Sequence, residues 1–240
     1  MNIVIPMAGQ GSRFKDAGYV NPKPFIDVMG KSMIERVLDN LYYPNAKYLL
    51  IARPEHLDLE KDLVRKIELE YNARFITVNQ LTEGTACTVL FAREFINNSE
   101  PLLIANSDQI VDINIQDFIE DCFQKQLQGS ILCFQDKEMN PKWSFAKLNS
   151  NGIVVEVKEK EPISDLATVG IYLFSEGKIF VDAALDMIIR NDRVNNEFYT
   201  CPVYNYAIKK GSKIGVYTID QKDMHGIGTP EDLRTYLNLL

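Results

Sequence analysis

A glycine-rich stretch near the start of the chain carries residue types that bind phosphate. The stretch MAGQGSRFKDAGYVNPKP follows the apolar run NIVIP and contains Gly9, Gly11, Arg13 and Lys23. Glycines let backbone N–H groups approach a phosphate closely, arginine grips phosphate oxygens as a fork, and lysine supplies a compact charge. Prolines on both sides of Lys23 restrict its backbone. Two other interpretations stay open, namely a tight turn for the glycines and a solvated surface position for the lysine.

The two commonest phosphate-binding loops do not fit this stretch. The third glycine of the dinucleotide-binding pattern is missing, and we expect no helix to begin promptly after Gly11. A P-loop would need Gly-Lys-Ser or Gly-Lys-Thr at the start of a helix. The stretch therefore predicts a glycine loop of another kind, with Arg13 and Lys23 as its cations.

A carboxylate stands at the end of a later apolar run. The segment PLLIANSDQIVD reads as a strand that ends in polar residues, and Asp108 is among them. Ligands of open α/β sheets bind beyond the carboxyl ends of the strands. A carboxylate there suits a hard cation such as Mg²⁺, although an Asp at a strand end also serves in turns.

The segments that must position these residues alternate between strand and helix in the first half of the chain. Strand patterns occur in NIVIPM, AKYLLIA, ARFITV and PLLIANSD. Helix patterns occur in SMIERVLDNL after Ser32 as N-cap, from Pro54 to Ile67, and in GTACTVLFAREFI from Gly84. This alternation predicts a parallel sheet with helices on both faces.

The second half changes to closely spaced strand patterns. These are GSILCFQ, WSFAKLN, GIVVEVKEK and ATVGIYLF, with a hairpin signal NSNG at 149–152. Helices are predicted in SEGKIFVDAALDMII, in EFYTCPVYNYAIKKG with an interruption at Pro202, and in TPEDLRTYLNLL with Thr229 as N-cap. KIGVYTI is a late strand. Together the patterns predict one α/β domain with a mostly parallel mixed sheet and a small antiparallel extension.

Composition narrows the function classes. The 240 residues carry a net charge of −7 without a basic stripe, which argues against a nucleic-acid partner. The four cysteines form no Cys-x-x-Cys pair, so we expect reduced core thiols and no zinc site. The sequence shows neither a signal peptide nor an apolar stretch that spans a bilayer. We therefore expect a cytoplasmic protein with no membrane partner.

The paired motifs AGQGSRF and NPKPFIDVMGKSMI resemble the start of sugar-phosphate nucleotidyltransferases, in the nucleotide-diphospho-sugar transferase superfamily. The resemblance implies a Rossmann-like α/β fold, with a nucleotide-binding part at about 1–135 and an acceptor-binding part at about 136–240. It also implies NTP contacts from a set in the glycine loop and in NQLTEGTACTVL, which contains Ala8, Gly9, Gly11, Ser12, Arg13, Gln80, Gly84 and Thr85. Arg13, Lys23 and Asp108 are the implied catalytic residues, with Asp108 binding Mg²⁺ or Mn²⁺.

The resemblance extends to acceptor-binding segments in the second half. It implies that VVEVKEKEP, TVGIYLF and NNEFYTCPVYN supply Glu159, Lys160, Gly170 and Glu197. The proline of the first segment comes one residue late, so Lys158 is an alternative to Lys160. Many relatives place a second metal-binding Asp where this chain has Gly226 in DMHGIGTPEDL. His225 and Asp223 stay open as substitutes.

The implied reaction moves an NMP from an NTP, with a pyrimidine base expected, to a sugar phosphate or a related small phosphate. The chain is most similar to a branch associated with capsule and surface-polysaccharide synthesis. Two alternatives remain: a glycosyltransferase using a nucleotide-sugar donor, and a nucleotide-binding protein without catalysis. The sequence identifies neither the base nor the acceptor, and it leaves a homo-oligomer open.

Overall fold

The protein consists of one large mixed sheet with helices on both faces, in a computed structural model that describes residues 1–239. The strands of the first half are β1 Asn2–Pro6, β2 Asp27–Val28, β3 Lys31–Ser32, β4 Lys47–Ala52, β5 Ala73–Thr77, β6 Leu102–Ala105 and β7 Gln109–Val111. Those of the second half are β8 Gly129–Gln135, β9 Ser144–Leu148, β10 Val154–Glu159, β11 Leu166–Phe174, β12 Ile214–Ile219 and β13 Met224–Gly226.

The helices connect these strands and cover the sheet. They are α1 Ser12–Asp16, α2 Met33–Asn40, α3 Pro54–Leu59, α4 Lys61–Glu70, α5 Thr85–Val89, α6 Arg93–Ile96, α7 Ile115–Gln124, α8 Gly177–Ile189, α9 Val203–Lys209 and α10 Pro230–Leu237. Short 3₁₀ turns occur at Lys23–Phe25, Leu90–Ala92 and Gln221–Asp223.

The large sheet has nine strands and confirms the predicted α/β fold. Its path runs β10-β9-β11-β6-β1-β4-β5, with β8 paired to β11 and β12 paired to β8. Strands β6, β1, β4 and β5 are parallel, whereas β11 runs antiparallel to β6, β8 and β9. Because the chain moves from β1 to β4 on one side and later to β6 on the other, a crevice opens beside β1 at the carboxyl ends.

Strand β1 shows why the sheet is buried on both faces. Ile3 and Ile5 belong to one core cluster with α2 and α7, while Val4 belongs to the other with α5, α8 and α9. A strand covered on both sides reads as a continuous apolar run rather than an alternating one. The run NIVIP therefore marks a central strand.

Two predicted helix starts are confirmed by their caps. Ser32 and Glu35 form a reciprocal capping box at the start of α2. Thr229 accepts a hydrogen bond from the backbone N–H of Asp232 at the start of α10, where Pro230 occupies the first turn.

Three helix predictions were wrong in extent. The helix expected from Pro54 to Ile67 is two helices, because the backbone leaves helical geometry at Glu60. The helix from Gly84 is divided by the 3₁₀ turn between α5 and α6. In EFYTCPVYNYAIKKG only α9 is helical, so Glu197 precedes it in a non-helical segment.

The sequence patterns did not predict several helices and strands. Helix α1 begins directly after Gly11, so the expectation of no prompt helix was wrong. Helix α7 was not foreseen, nor was the two-stranded ribbon in which β13 runs antiparallel to β7. Within residues 1–239 no helix is both long and apolar enough to cross a membrane. The division near residue 135 stays a prediction, since the nine-stranded sheet contains strands from both parts.

Candidate active site

A cavity of about 390 Å³ lies at the carboxyl ends of β1 and β6. Its walls come from the loop after β1, the Lys23–Phe25 turn, the segment that leads into α5, the residue after Asn106, and the loop before α10. The lining residues are Pro6, Met7, Ala8, Gly9, Gly11, Ser12, Arg13, Phe14, Lys23, Pro24, Leu81, Thr82, Gly84, Thr85, Thr88, Ser107, Glu197 and Gly228. This is the crevice where open α/β sheets bind their ligands.

The glycine loop presents free backbone donors to this cavity. Among the described residues, no backbone N–H from Ala8 to Arg13 donates a hydrogen bond within the chain. Gly11 adopts a left-handed conformation with φ 61°, and a Cβ there would lie 3.0 Å from the Cβ of Lys23. Glycine therefore allows the turn and also lets the loop pack against the lysine. Unused N–H groups beside an exposed Arg13 make a concave site for anions.

Lys23 and Asp108 form an ion pair at the edge of the first cavity: Lys23 lines the cavity, whereas Asp108 lies just behind the lining residue Ser107 in sequence and lines neither cavity. The Lys23 Nζ donates a hydrogen bond to Asp108 Oδ2, and the two side chains are 19% and 26% exposed. The 3₁₀ turn after Pro22 holds the lysine, and the loop after β6 holds the aspartate. The two residues singled out in separate motifs thus form one charge pair.

Gly228 packs against this pair and was missed by the sequence patterns. A Cβ on Gly228 would collide with Asp108 Oδ2 and would lie 3.5 Å from Lys23 Nζ. By contrast, a Cβ on Gly226 would meet no atom of residues 1–239 within 4 Å. In the late Gly-x-Gly sequence, it is therefore the second glycine, Gly228, that leaves room for the Lys23–Asp108 ion pair.

A second cavity of about 270 Å³ adjoins the first. Polar and aromatic side chains from β7, β9, β10, β11 and the segment before α9 line it. The lining residues are Thr85, Asn106, Gln109, Lys142, Trp143, Ser144, Glu159, Thr168, Val169, Gly170, Tyr172, Tyr199 and Thr200. Thr85 belongs to both linings. A ligand in one cavity therefore lies next to a ligand in the other.

Glu159 is the carboxylate of the second cavity. Burial raises the pKa of Glu159, although the hydrogen bond from Ser144 Oγ and the charge of Lys160 counter the rise. The Lys160 Nζ donates to Tyr199 Oη at 2.9 Å, and this hydrogen bond raises the pKa of Lys160. Lys160 thus holds a wall residue of the cavity without lining it.

Gly170 lets the middle of β11 approach Asn106, the residue after β6, beside the second cavity. It lies in β11 with φ 92°, at the irregular register between Thr168 and Tyr172. A Cβ there would collide with the side chain of Asn106, and the Gly170 carbonyl accepts from the Asn106 backbone N–H at 3.1 Å. The glycine therefore makes room for a side chain that lines the cavity.

Close backbone packing joins the two cavities. Gly84 has φ 121°, and a Cβ on it would collide with the backbone of Phe198. The Phe198 N–H donates to the Glu83 carbonyl at 2.7 Å, and the Thr200 hydroxyl donates to Thr85 Oγ1 at 3.0 Å. The segment expected to contact the nucleotide is thus bonded to the segment that walls the second cavity.

The structure brings most of the predicted residues together and leaves some outside. Of the predicted nucleotide-binding set, all but Gln80 line the first cavity, and Gln80 is exposed outside both. Glu159 and Gly170 line the second cavity, Lys160 lies beside it, and Glu197 lines the first cavity instead of the second.

His225 pairs with Asp112 in the ribbon of β7 and β13. Its Nε2 is 2.7 Å from Asp112 Oδ2, and its ring packs against Tyr236 with centroids 5.5 Å apart. The ribbon of β7 and β13 sets this arrangement, because His225 is paired with Ile110. The histidine is a packing residue of the ribbon, and Asp223 contributes its backbone carbonyl to Asp112.

The donor set suits a cation that arrives with phosphates. Among residues 1–239, no group of three His, Cys, Asp or Glu side chains could hold a metal ion. Asp108 offers one carboxylate beside Lys23, between the lining residues Ser107 and Gln109, and Mg²⁺ commonly takes one or two carboxylates plus phosphate oxygens and waters. The residues therefore fit a magnesium ion brought by a nucleotide.

Comparison with known proteins fixes the family. Residues 3–236 match the family model described as "Nucleotidyl transferase". The chain belongs to this family. It is 24% identical over 231 residues to the bifunctional protein GlmU of Staphylococcus epidermidis, an alignment that covers 92% of this chain and 48% of GlmU. The chain thus spans about half the length of that relative.

Two further relatives are closer to this chain in size. The UTP–glucose-1-phosphate uridylyltransferase AglF of Haloferax volcanii is 24% identical over 213 residues, which are 80% of this chain and 85% of AglF. The crystal structure of a nucleoside-diphosphate-sugar pyrophosphorylase from Vibrio cholerae RC9 superposes with a TM-score of 0.82 at 26% identity, over 98% of this chain and 99% of that one. These likenesses support both the fold and the family.

Proposed function

We propose that the protein transfers an NMP from an NTP to a sugar phosphate or a related small phosphate and releases pyrophosphate. One observation carries the proposal: Lys23, paired with Asp108, lines a cavity with free backbone donors, directly beside a second polar cavity. An NTP needs cations and backbone donors for its phosphates, as in the first cavity. A phosphorylated acceptor needs a polar cavity next to the NTP, as in the second. The match to the nucleotidyl transferase family supports the same reaction.

The proposed reaction needs no covalent bond between the protein and its substrates. A phosphate oxygen of the acceptor attacks the α-phosphorus, the new O–P bond forms, and the bond from the α-phosphorus to the bridging oxygen breaks. The electron pair leaves with pyrophosphate, and no proton must move, since a phosphate monoester is already ionised near pH 7. Arg13 and Lys23 neutralise the phosphates, while the free N–H groups of the glycine loop orient them.

Asp108 would hold the divalent cation in this proposal. A bound Mg²⁺ or Mn²⁺ supplies charge neutralisation across the phosphates. Lys23, which lines the first cavity, donates a hydrogen bond that holds the Asp108 carboxylate in place before substrates bind. A pre-positioned carboxylate avoids reorganisation during the reaction.

We further propose a pyrimidine base in the NTP. The support is the resemblance of NQLTEGTACTVL to a segment that reads single-ring bases in relatives. In this chain Gly84 and Thr85 of that segment line the first cavity. A screen of CTP, UTP, dTTP, ATP and GTP measures the preference, and a highest kcat/KM with ATP or GTP would overturn it.

The expected product is a nucleotide-activated precursor that is made in the cytoplasm and used to build a surface polysaccharide. This part of the proposal rests on the resemblance to the capsule-associated branch. Deleting the encoding gene should remove one nucleotide-activated precursor from cell extracts and one constituent from the surface polysaccharide. An unchanged polysaccharide would contradict it.

A pyrophosphate-release assay separates the proposal from its alternatives. The enzyme is incubated with Mg²⁺, each NTP and a panel of phosphorylated sugars, polyols and amides, and UDP-glucose is tested in parallel as a donor. The proposal expects pyrophosphate only when an NTP and an acceptor are both present. Release of UDP from UDP-glucose would indicate a glycosyltransferase instead. Binding of NTP without any turnover would indicate a nucleotide-binding protein.

A further inference from the structure

Gln109 is a buried polar residue in the wall of the second cavity. Gln109 is only 7% exposed, and its Nε2 is buried without a hydrogen-bond partner among residues 1–239. A buried amide N–H left without an acceptor is destabilising, because it has lost its hydrogen bonds to water. The group belongs to the lining of the second cavity, where a ligand atom could accept its hydrogen bond.

The position of Gln109 ties it to the reacting end of the acceptor. It directly follows Asp108, so their Cα atoms are about 3.8 Å apart. Asp108 lies in the turn just before β7 and bonds to Lys23 of the first cavity, while Gln109 begins β7 and lines the second cavity.

Glu159 supplies a complementary group in the same cavity. It accepts a hydrogen bond from Ser144, which leaves carboxylate lone pairs for a ligand that donates. Lys142 lines the cavity, and Lys160 acts on Glu159 through its charge. Two lysines disfavour a ligand ammonium beside Glu159. A hydroxyl, which both donates and accepts without charge, suits both Gln109 and Glu159.

We infer that Gln109 recognises the acceptor: its Nε2–H donates to an uncharged oxygen next to the acceptor's phosphate, while Glu159 accepts from a more distant hydroxyl. The inference rests on the proposed function, because it treats the second cavity as the acceptor site. It names a hydroxyl-bearing phosphate as the acceptor class and Gln109 as a residue that determines its choice.

The test replaces Gln109 with methionine, which has a similar length and no donor. Gln124→Met, at an exposed position in α7, is the matched control. Binding of α-D-glucose 1-phosphate, glycerol 3-phosphate and phosphoethanolamine is measured by calorimetry, and the KM of acceptor and NTP is measured where turnover occurs. Urea unfolding reports stability, and Gln109→Leu serves as a second variant should the methionine protein fail to fold.

We expect Gln109→Met to weaken binding of the hydroxyl-bearing phosphates by about 3- to 10-fold, the value of one neutral hydrogen bond. The KM for NTP should stay within about twofold, and the unfolding midpoint should not fall, because the amide has no protein partner to lose. Gln124→Met should behave as the wild type. A structural role would instead lower the unfolding midpoint.

The outcomes separate this inference from the proposed function. Weaker acceptor binding in the variant, with no pyrophosphate from the wild type, would support Gln109 and overturn nucleotidyl transfer. Turnover with an unchanged acceptor KM in the variant would support the transfer and overturn Gln109. Failure of both hydroxyl-bearing phosphates to bind the wild type, or tighter binding of phosphoethanolamine, would overturn the inference.

Discussion

Lys23 and Asp108 are 85 residues apart in the chain and form an ion pair through the lysine that lines the larger cavity. Their residue types and local patterns singled each of them out in the sequence. Their contact was not predictable, because it depends on how the loops after β1 and β6 fold together. Gly228 and Gln109 were missed for a related reason: their roles follow from what they pack against.

Loss of the Lys23 charge should remove transition-state stabilisation without harming the fold. We expect Lys23→Met to lower kcat/KM at least about 100-fold, since one such contact contributes about 2.7–4 kcal/mol. Arg13→Met should act in the same direction. Steady-state pyrophosphate release measures both, with the exposed Lys15→Met in α1 as the control. Rates near the wild type in both variants would refute the phosphate role of the loop.

The two late glycines offer a matched pair of variants. Gly228→Ala should push Asp108 away from Lys23 and cut turnover, because its Cβ collides with the carboxylate. Gly226→Ala should leave turnover within about twofold, because its Cβ enters open space. Kinetics and thermal unfolding are measured on both. Equal effects of the two alanines would show that the contact at Gly228 does not matter.

Among the elements, those with strong caps or long apolar patterns were predicted well. Ser32, Thr229 and the run NIVIP each carry a local signal for where an element begins. The three-residue strands β7 and β13 carry none, since so short a segment shows no periodicity. The non-helical segment at Glu197 follows from tertiary packing, because its backbone bonds to Glu83 and Thr85.

Glu35 joins α2 to α4 and should make stability depend on pH. Burial would raise its pKa, but hydrogen bonds from Lys66 and Ser32 outweigh burial and lower the pKa below the ordinary 4.5. A lowered carboxyl pKa contributes stability above the unfolded pKa, and that stability is lost as pH falls through the folded pKa. We expect Glu35→Gln to cost about 1–2 kcal/mol at pH 7 and much less at pH 3.

Urea unfolding of the wild type and Glu35→Gln at pH 7 and pH 3 measures this effect. The exposed Glu68→Gln in α4 is the control and should change little at either pH. An equal loss at both pH values would show that Glu35 acts through packing rather than charge.

The pairing of β7 with β13 holds His225 against Asp112, which bears on the residues that bind the metal. With His225 held by Asp112, Asp108 is the one protein carboxylate we assign to the ion. We expect Mn²⁺ to bind weakly to the protein alone and much more tightly with NTP, and His225→Ala to leave both affinities within about twofold. Calorimetry without acceptor measures this. Tight binding to the free protein that disappears in His225→Ala would show that the histidine is a ligand.

At the scale of the whole molecule, the sequence predicted the α/β class, the parallel first half and the antiparallel extension. Alternating helix and strand patterns carry that information, because each pattern reports local burial. The adjacency of the two cavities is a property of the finished sheet. It arises where β11 returns antiparallel beside β6, which brings Gly170 to Asn106.

Transfer of the nucleotidyl group itself is the central claim, and following the α-phosphorus tests it most directly. The protein is incubated with Mg²⁺, a pyrimidine NTP labelled with ³²P at the α-phosphate, and a phosphorylated acceptor. We predict that the label appears in a nucleotidyl-acceptor product, with one pyrophosphate released for each product molecule. Label found only in NMP or NDP, or orthophosphate released in place of pyrophosphate, would contradict the account.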